Sequence, residues 1–125
     1  MTPLVAALWL ASHGIEVAPA FGMLVTGVCQ CRNPHCFRPA KHARIFDDTL
    51  FGTVDETVIG RLWMRYPTAN LLVHTGLRSR LFVIDVDAPV GLETWASLVR
   101  RWDFGETLTI RSGGGGFHLY YTRFI

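Results

Sequence analysis

Charge is scarce in this chain of 125 residues: Asp, Glu, Lys and Arg make up 18% of it, and 12 basic against 10 acidic residues leave a net charge of +2. That surplus is too small to announce a nucleic-acid partner by itself. Lysine is nearly missing, because 11 of the 12 basic residues are arginine, the side chain best suited to gripping phosphates bidentately. Long apolar runs are missing too. The first 28 residues hold one formal charge, Glu16, but His13, Glu16 and Pro19 interrupt the stretch and no basic segment precedes it. No run reaches the roughly 18 residues that a span requires, which argues against a membrane segment and a signal peptide, so a cytoplasmic protein is expected. There is no internal repeat, and the four consecutive glycines are the single low-complexity tract. What is present is material for a core: 50% hydrophobic residues, with four Trp and eight Phe, enough for one globular domain over residues 1–125 and too apolar for disorder.

The chain alternates helix and strand signals. Thr2 caps and Pro3 opens a first helix, with Leu4, Leu8 and Ala11 on one face and His13-Gly14 at its end. Ile15 to Ala18 reads as a short strand stopped by Pro19, and an irregular segment rich in Gly, Pro, Cys and Arg runs from Phe21 to Ala43. Thr53-Val54-Asp55-Glu56 matches a capping box, and Val54, Val58, Leu62, Trp63 and Met64 supply the apolar surface of a second helix that Pro67 ends. Asn70–Thr75 and Leu81–Asp87 are strand-like and lie close enough for an antiparallel hairpin through Gly76 to Arg80. Leu92, Trp95, Leu98, Val99 and Trp102 repeat at helical spacing, after which Thr107–Arg111 and Phe117–Thr122 form two more strands. Locally paired strands interleaved with helices give an α+β class, a mainly antiparallel sheet with helices packed on it.

Three constellations carry chemistry. Cys29, Cys31, Cys36 and His42 offer three thiolates and an imidazole within a loop at about residues 27–44. An odd number of cysteines crowded into eight positions of a reducing compartment points to metal instead of disulfides, and a full set of four ligands makes a Zn²⁺ there structural. His35 is a rival fourth ligand, strained by its adjacency to Cys36. Arg32, Arg38, Lys41 and Arg44 make the same loop a basic knob suited to a nucleic-acid backbone or a triphosphate, or simply a solvated loop.

Asp85 and Asp87 flank Val86 at the end of an apolar strand, so alternation sends both carboxylates to one face about 6–7 Å apart. Oxygen donors in that arrangement suit Mg²⁺ or Mn²⁺ bridging a triphosphate. The alternative is a strand end that opens into solvent. Ser112 and the glycines Gly113, Gly114, Gly115 and Gly116 precede His118, and backbone without side chains lets amide N–H groups approach phosphate oxygens. It is not a P-loop, since no Gly-Lys-Ser/Thr follows. His118, Tyr120 and Thr122 share one strand face, and Phe117, Leu119 and Tyr121 the other.

Taken in order, Gly14-Ile15-x-Val17-x-Pro19, the Cys-x-Cys-x4-Cys-x5-His loop, Trp63 with Pro67-x-x-Asn70, Thr75-Gly76, Ile84-Asp85-Val86-Asp87 and Gly115-Gly116-x-His118-x-Tyr120-Tyr121 span nearly the whole chain. This series resembles the bifunctional DNA primase/polymerase N-terminal domain, the prim-pol branch of the archaeo-eukaryotic primase superfamily. The resemblance implies a nucleotidyltransferase that extends primers on a single-stranded DNA template from (d)NTPs by a two-metal mechanism. Asp85 and Asp87 would hold the catalytic Mg²⁺ or Mn²⁺, His118 would contact the triphosphate, and Cys29, Cys31, Cys36 and His42 would hold Zn²⁺. It also implies a role in replicating a plasmid, phage or mobile element, with a helicase domain or protein as a partner.

Two departures stand out. Ala40-Lys41-His42-Ala43 occupies a place where members usually read Gly-Lys-His-Pro. The family's further acidic residue has no counterpart from Leu119 to Ile125, so the sequence reads as a C-terminally truncated domain. The rival expectation is accordingly a catalytically incomplete, zinc-stabilised ssDNA-binding remnant. A metal-dependent phosphohydrolase using the same acids is a third, disfavoured because no nucleophile or general base stands near them.

Overall fold

The structure is a computed structural model that describes residues 1–44 and 52–122. It divides into two compact units, Met1–Ser79 and Arg80–Ile125.

In the first unit, helix α1 (Pro3–Ser12) starts as expected, with the Thr2 hydroxyl accepting the Val5 N–H at 3.3 Å. Ala7 and Ala11 of α1 are buried against Val17, Ile59 and Trp63, with Leu4, Leu8 and Leu71 packed around them. Strand β1 (Val17–Ala20) pairs antiparallel with β2 (Asn70–Val73). Pro19 lies inside β1, opposite Leu71, and does not stop it. The neighbouring Val17 and Phe21 N–H groups point away from β2, to the carbonyls of Thr53 and His42, so a proline between them forfeits no bond of the β1–β2 ladder.

Helix α2 (Glu56–Arg65) begins two residues later than the capping-box reading places it. Asp55 is the cap, its Oδ1 accepting the Thr57 and Val58 N–H groups at 2.8 and 3.0 Å, while Thr53 is drawn into an antiparallel bridge with Val17. An aspartate already supplies the oxygen that the first turn needs, so the threonine is free for the strand. Ile59 and Trp63 make the buried face of α2, whereas Met64 is 82% exposed and Val54 precedes the helix.

The second unit holds β3 (Leu81–Val86), α3 (Val90–Val99), β4 (Leu108–Arg111) and β5 (Phe117–Thr122). Its sheet runs β3-β5-β4, antiparallel throughout. The expected β2–β3 hairpin does not form: β2 pairs with β1 and β3 with β5, giving two antiparallel sheets where one was expected. The intervening segment is not a tight turn, since Ser79 turns its hydroxyl to the Glu16 N–H at 2.9 Å and both Gly76 and Arg80 take positive φ. Helix α3 ends at Val99, earlier than its apolar repeat, and Trp102 lies beyond it. Trp95 is the anchor of α3, 4.7 Å from the Phe104 ring and 6.2 Å from Phe117. The α+β class holds, with three helices and antiparallel sheets.

Candidate functional site

The register of the second sheet sets its chemistry. Asp85 pairs with His118 across β3–β5, and Ile110 pairs with His118 from β4. Alternation then puts Asp85, His118 and Ile110 in one row and Val83, Tyr120 and Leu108 in the next row of the same face. Phe117 and Leu119 take the opposite face, where Trp95 meets Phe117. His118 Nε2 lies 3.2 Å from Asp85 Oδ1, with the two side chains 37% and 59% exposed. At the other edge of the imidazole, Tyr120 Oη is 3.4 Å from Nδ1. A phenol donating to Nδ1 leaves the ring proton on Nε2, the nitrogen that faces the carboxylate. Partial burial, with Asp85 adding to it, pushes the Tyr120 phenol up, so it stays protonated and able to donate.

Strand β3 ends at Val86, so Asp87 falls just past it and is exposed. The solvent-facing strand end is therefore what the acids occupy, in place of the buried pair that an apolar strand would impose. The glycine turn abuts this segment. Ser112 N–H donates to the Gly116 carbonyl at 2.9 Å and Gly115 N–H to the Ser112 carbonyl at 3.2 Å, closing a β-turn followed by a bulge at Gly115, whose φ is +88°. A Cβ on Gly116 would overlap the Val86 carbonyl oxygen and stand 3.2 Å from Ala88 N, so only glycine lets the turn pack beside the chain that carries Asp87. Gly113 and Gly114 differ: added Cβ atoms there would meet nothing within 4 Å. The fold demands two of the four glycines and leaves two bare at the tip.

The metal loop belongs to the first unit. One donor atom each from Cys29, Cys31, Cys36 and His42 lie within 4.8 Å of one another, and among the described residues this is the one group of three or more His, Cys, Asp or Glu so gathered. Cys29 Sγ and Cys36 Sγ stand 3.4 and 3.6 Å from His42 Nε2. A tetrahedron with Zn–S of about 2.3 Å and Zn–N of about 2.05 Å has N···S edges of about 3.6 Å, so the donor set and its spacing fit Zn²⁺. His42, not His35, completes the group; His35 instead sits in a turn in which its N–H donates to Asn33 Oδ1 at 2.9 Å.

The Ala40 N–H, 3.4 Å from Cys29 Sγ, is the largest of the influences that pull the Cys29 thiol down to about 6, with a backbone bond from Cys31 next. Burial pushes the Cys36 thiol up. Ala40 presents its amide from a left-handed conformation, φ +57°, which is where members of the resembling family carry glycine. The sequence flagged this position but not the N–H···S bond that makes it matter.

The basic residues of the loop part company. Arg44 is held between the rings of Phe21 and Tyr66, at 4.8 and 4.5 Å, and donates to Gln30 Oε1 at 3.2 Å. Arg32, Arg38 and Lys41 have no ion-pair partner among the described residues. Sequence reasoning used Glu16 only as a break in an apolar stretch and gave it no partner. It is buried at the foot of β1, 2.5 Å from Arg78 and 3.8 Å from His74, and a single carboxylate in an apolar stretch gives no sign of which distant residue will pair with it.

These features define an α+β protein with an antiparallel sheet bearing an aspartate–histidine pair and a separate three-cysteine, one-histidine metal loop. A family model described as bifunctional DNA primase/polymerase, N-terminal, matches residues 7–123, nearly the whole chain, and the chain belongs to that family. No curated protein and no solved structure matches it significantly. Among the described residues, no helix is long and apolar enough to cross a membrane.

Proposed function

We propose that this chain is the catalytic domain of a primase/polymerase, a nucleotidyltransferase that copies single-stranded DNA from (d)NTPs. Family membership over residues 7–123 is the observation that carries the reading. In it, Asp85 and Asp87 would be the ligands of Mg²⁺ or Mn²⁺, and two exposed carboxylates two residues apart at the end of β3 are the oxygen donors those ions favour. The bound ions supply charge neutralisation and activation of a 3′-hydroxyl. His118 Nε2, which faces Asp85, is the donor that would meet the triphosphate, and Tyr120 fixes the tautomer that allows it. The bare amides of Gly113 and Gly114 offer further donors to phosphate oxygens, while Gly115, whose N–H is taken by Ser112, and the buried Gly116 shape the turn that presents them. The 3′-oxygen forms its bond to the α-phosphorus as the bond to pyrophosphate breaks, and the hydroxyl proton passes to solvent.

The loop zinc is structural in this reading. Residues 1–125 act as one catalytic domain in the cytoplasm, serving replication of a plasmid, phage or mobile element, with a helicase domain or protein supplying the single strand. Arg32, Arg38 and Lys41 are nucleic-acid contacts; Arg44, already engaged by Phe21, Tyr66 and Gln30, supports the loop.

The test is calorimetric titration of a deoxynucleoside triphosphate with Mn²⁺ into the zinc-replete protein and into Asp85→Asn. Saturable binding by the wild type, weakened at least about 100-fold in the variant, is expected, the loss of a charge-assisted metal ligand being worth about 3 kcal/mol or more. No binding by folded wild type would leave the second reading, a scaffold that holds ssDNA without catalysis. That reading is favoured by one observation: among the described residues no third carboxylate joins Asp85 and Asp87 in a cluster.

A further inference from the structure

The stretch that follows α3 is built unlike a helix end that merely returns to the sheet. Trp95 does the packing there, against Phe104 and Phe117, and leaves Trp102 with no ring contact among the described residues and 65% exposed. Arg100 and Arg101 precede it, both exposed and without an ion-pair partner among the described residues. The backbone holding them is fixed: the Arg101 and Trp102 N–H groups both donate to the Leu98 carbonyl at 3.0 Å, and Asp103 Oδ1 takes the Gly105 N–H at 2.8 Å, with Gly105 at φ +68°. Together Trp102, Arg100, Arg101, Trp95 and Phe104 line an open cleft of about 430 Å³, large enough for a nucleobase.

An exposed indole costs free energy in water, and two adjacent guanidinium groups that form no ion pair among the described residues select a polyanion, the one carboxylate lining the cleft, Asp103, being turned to the Gly105 N–H. A flat aromatic face beside phosphate-gripping cations is the combination that binds single-stranded nucleic acid with little regard to sequence, one base stacking on the ring while the flanking phosphates meet the arginines. We infer that Trp102, Arg100 and Arg101 form a docking platform for single-stranded DNA. An acidic peptide would use the arginines but not the ring, and a second copy of the chain would use the ring but bring the same positive charge. The inference rests on the primase/polymerase reading for its choice of DNA and adds to it the residues that hold the template strand.

Fluorescence anisotropy of a labelled oligo-dT and of an abasic deoxyribose-phosphate strand of equal length tests it, on the wild type, Trp102→Ala, Trp102→Phe and Arg100→Ala/Arg101→Ala. Trp102→Ala should weaken oligo-dT about tenfold, leave the abasic strand unchanged, and be largely rescued by Trp102→Phe. The double arginine variant should weaken both strands and lower the slope of log affinity against log salt by about 1.4. Equal losses on both strands in Trp102→Ala, or none on either, would overturn the platform. So would concentration-dependent self-association that Trp102→Ala abolishes, which assigns the face to a second copy. Titration of Mn²⁺ and triphosphate into Trp102→Ala keeps the two readings apart: a platform without nucleotide binding in any variant sinks the polymerase reading alone, and nucleotide binding without a platform sinks this inference alone.

Discussion

In the loop from Cys29 to His42, four donor atoms already stand within 4.8 Å of one another, whereas at the end of β3 Asp85 and Asp87 are both exposed and, among the described residues, only Asp85 has an ion-pair partner, His118 at 3.2 Å. The difference is one of local constraint. Backbone hydrogen bonds between neighbouring turns of the loop, from Arg32 to Cys29, from Cys36 to Asn33 and from Lys41 to Arg38, aim its donors at one point. A soft, closed ligand set that is assembled in advance suits an ion that stays. Carboxylates on a strand end, with open solvent beside them, suit hard ions that arrive with a phosphate ligand and leave with it.

Metal removal is the strongest way to break that contrast. Extensively dialysed wild type should retain one zinc per chain by atomic emission and no manganese, and Cys36→Ser should retain neither. Structural zinc contributes on the order of 10 kcal/mol to folded metal loops, so stripping it with a chelator should abolish hydrogen-exchange protection across residues 29–42. A folded wild type that holds no zinc would erase the distinction.

The glycine turn offers the next largest effect. Gly116→Ala forces a methyl group into the Val86 carbonyl and should destabilise the protein by about 3 kcal/mol in urea titrations. Gly113→Ala, with open space around the new Cβ, should change stability by less than about 0.5 kcal/mol. If the tip amides take phosphate, Gly113→Ala still weakens triphosphate binding, which separates a glycine kept for packing from one kept for access.

Within the loop, Arg44 and Arg38 should behave differently. Arg44→Lys replaces a planar group stacked between Phe21 and Tyr66 and should cost about 1–2 kcal/mol of stability. Arg38→Ala should leave the unfolding midpoint in place while weakening single-stranded DNA. A stable Arg44→Lys would return Arg44 to the nucleic-acid contacts.

How much of this was legible in the sequence follows from the range of the forces involved. The Cys/His ligand set, the α1 cap, the β4–β5 hairpin and the shared face of His118 and Tyr120 depend on residues close in the chain, and spacing alone carries them. The Asp85–His118 pair was not legible: the resemblance singled out both residues but did not pair them, since nothing local says that β3 lies beside β5. The supposed β2–β3 hairpin failed for the same reason: both strands have better partners far away, β1 and β5. The exposure of Met64 and Trp102 escaped the apolar pattern because hydrophobicity says which residues can be buried, not which are.

Ala40 turns one of these local signals into the smallest and cleanest measurement. Its φ of +57° places a methyl group in the left-handed region, which costs an L-residue about 1–2 kcal/mol relative to glycine. Glycine at the same place would lose more backbone freedom on folding, by about 0.4–1 kcal/mol. The balance leaves Ala40→Gly more stable than wild type by about 0.5–1 kcal/mol, with zinc content unchanged and the amide still aimed at Cys29 Sγ. Ala40→Val pushes the other way, since a β-branched residue tolerates that conformation least. Zinc-dependent unfolding midpoints that rank glycine above alanine above valine would show that backbone geometry, and not side-chain chemistry, is what the loop requires at this position. An unchanged midpoint in both variants would mean that the metal-bound loop does not keep Ala40 in the left-handed region.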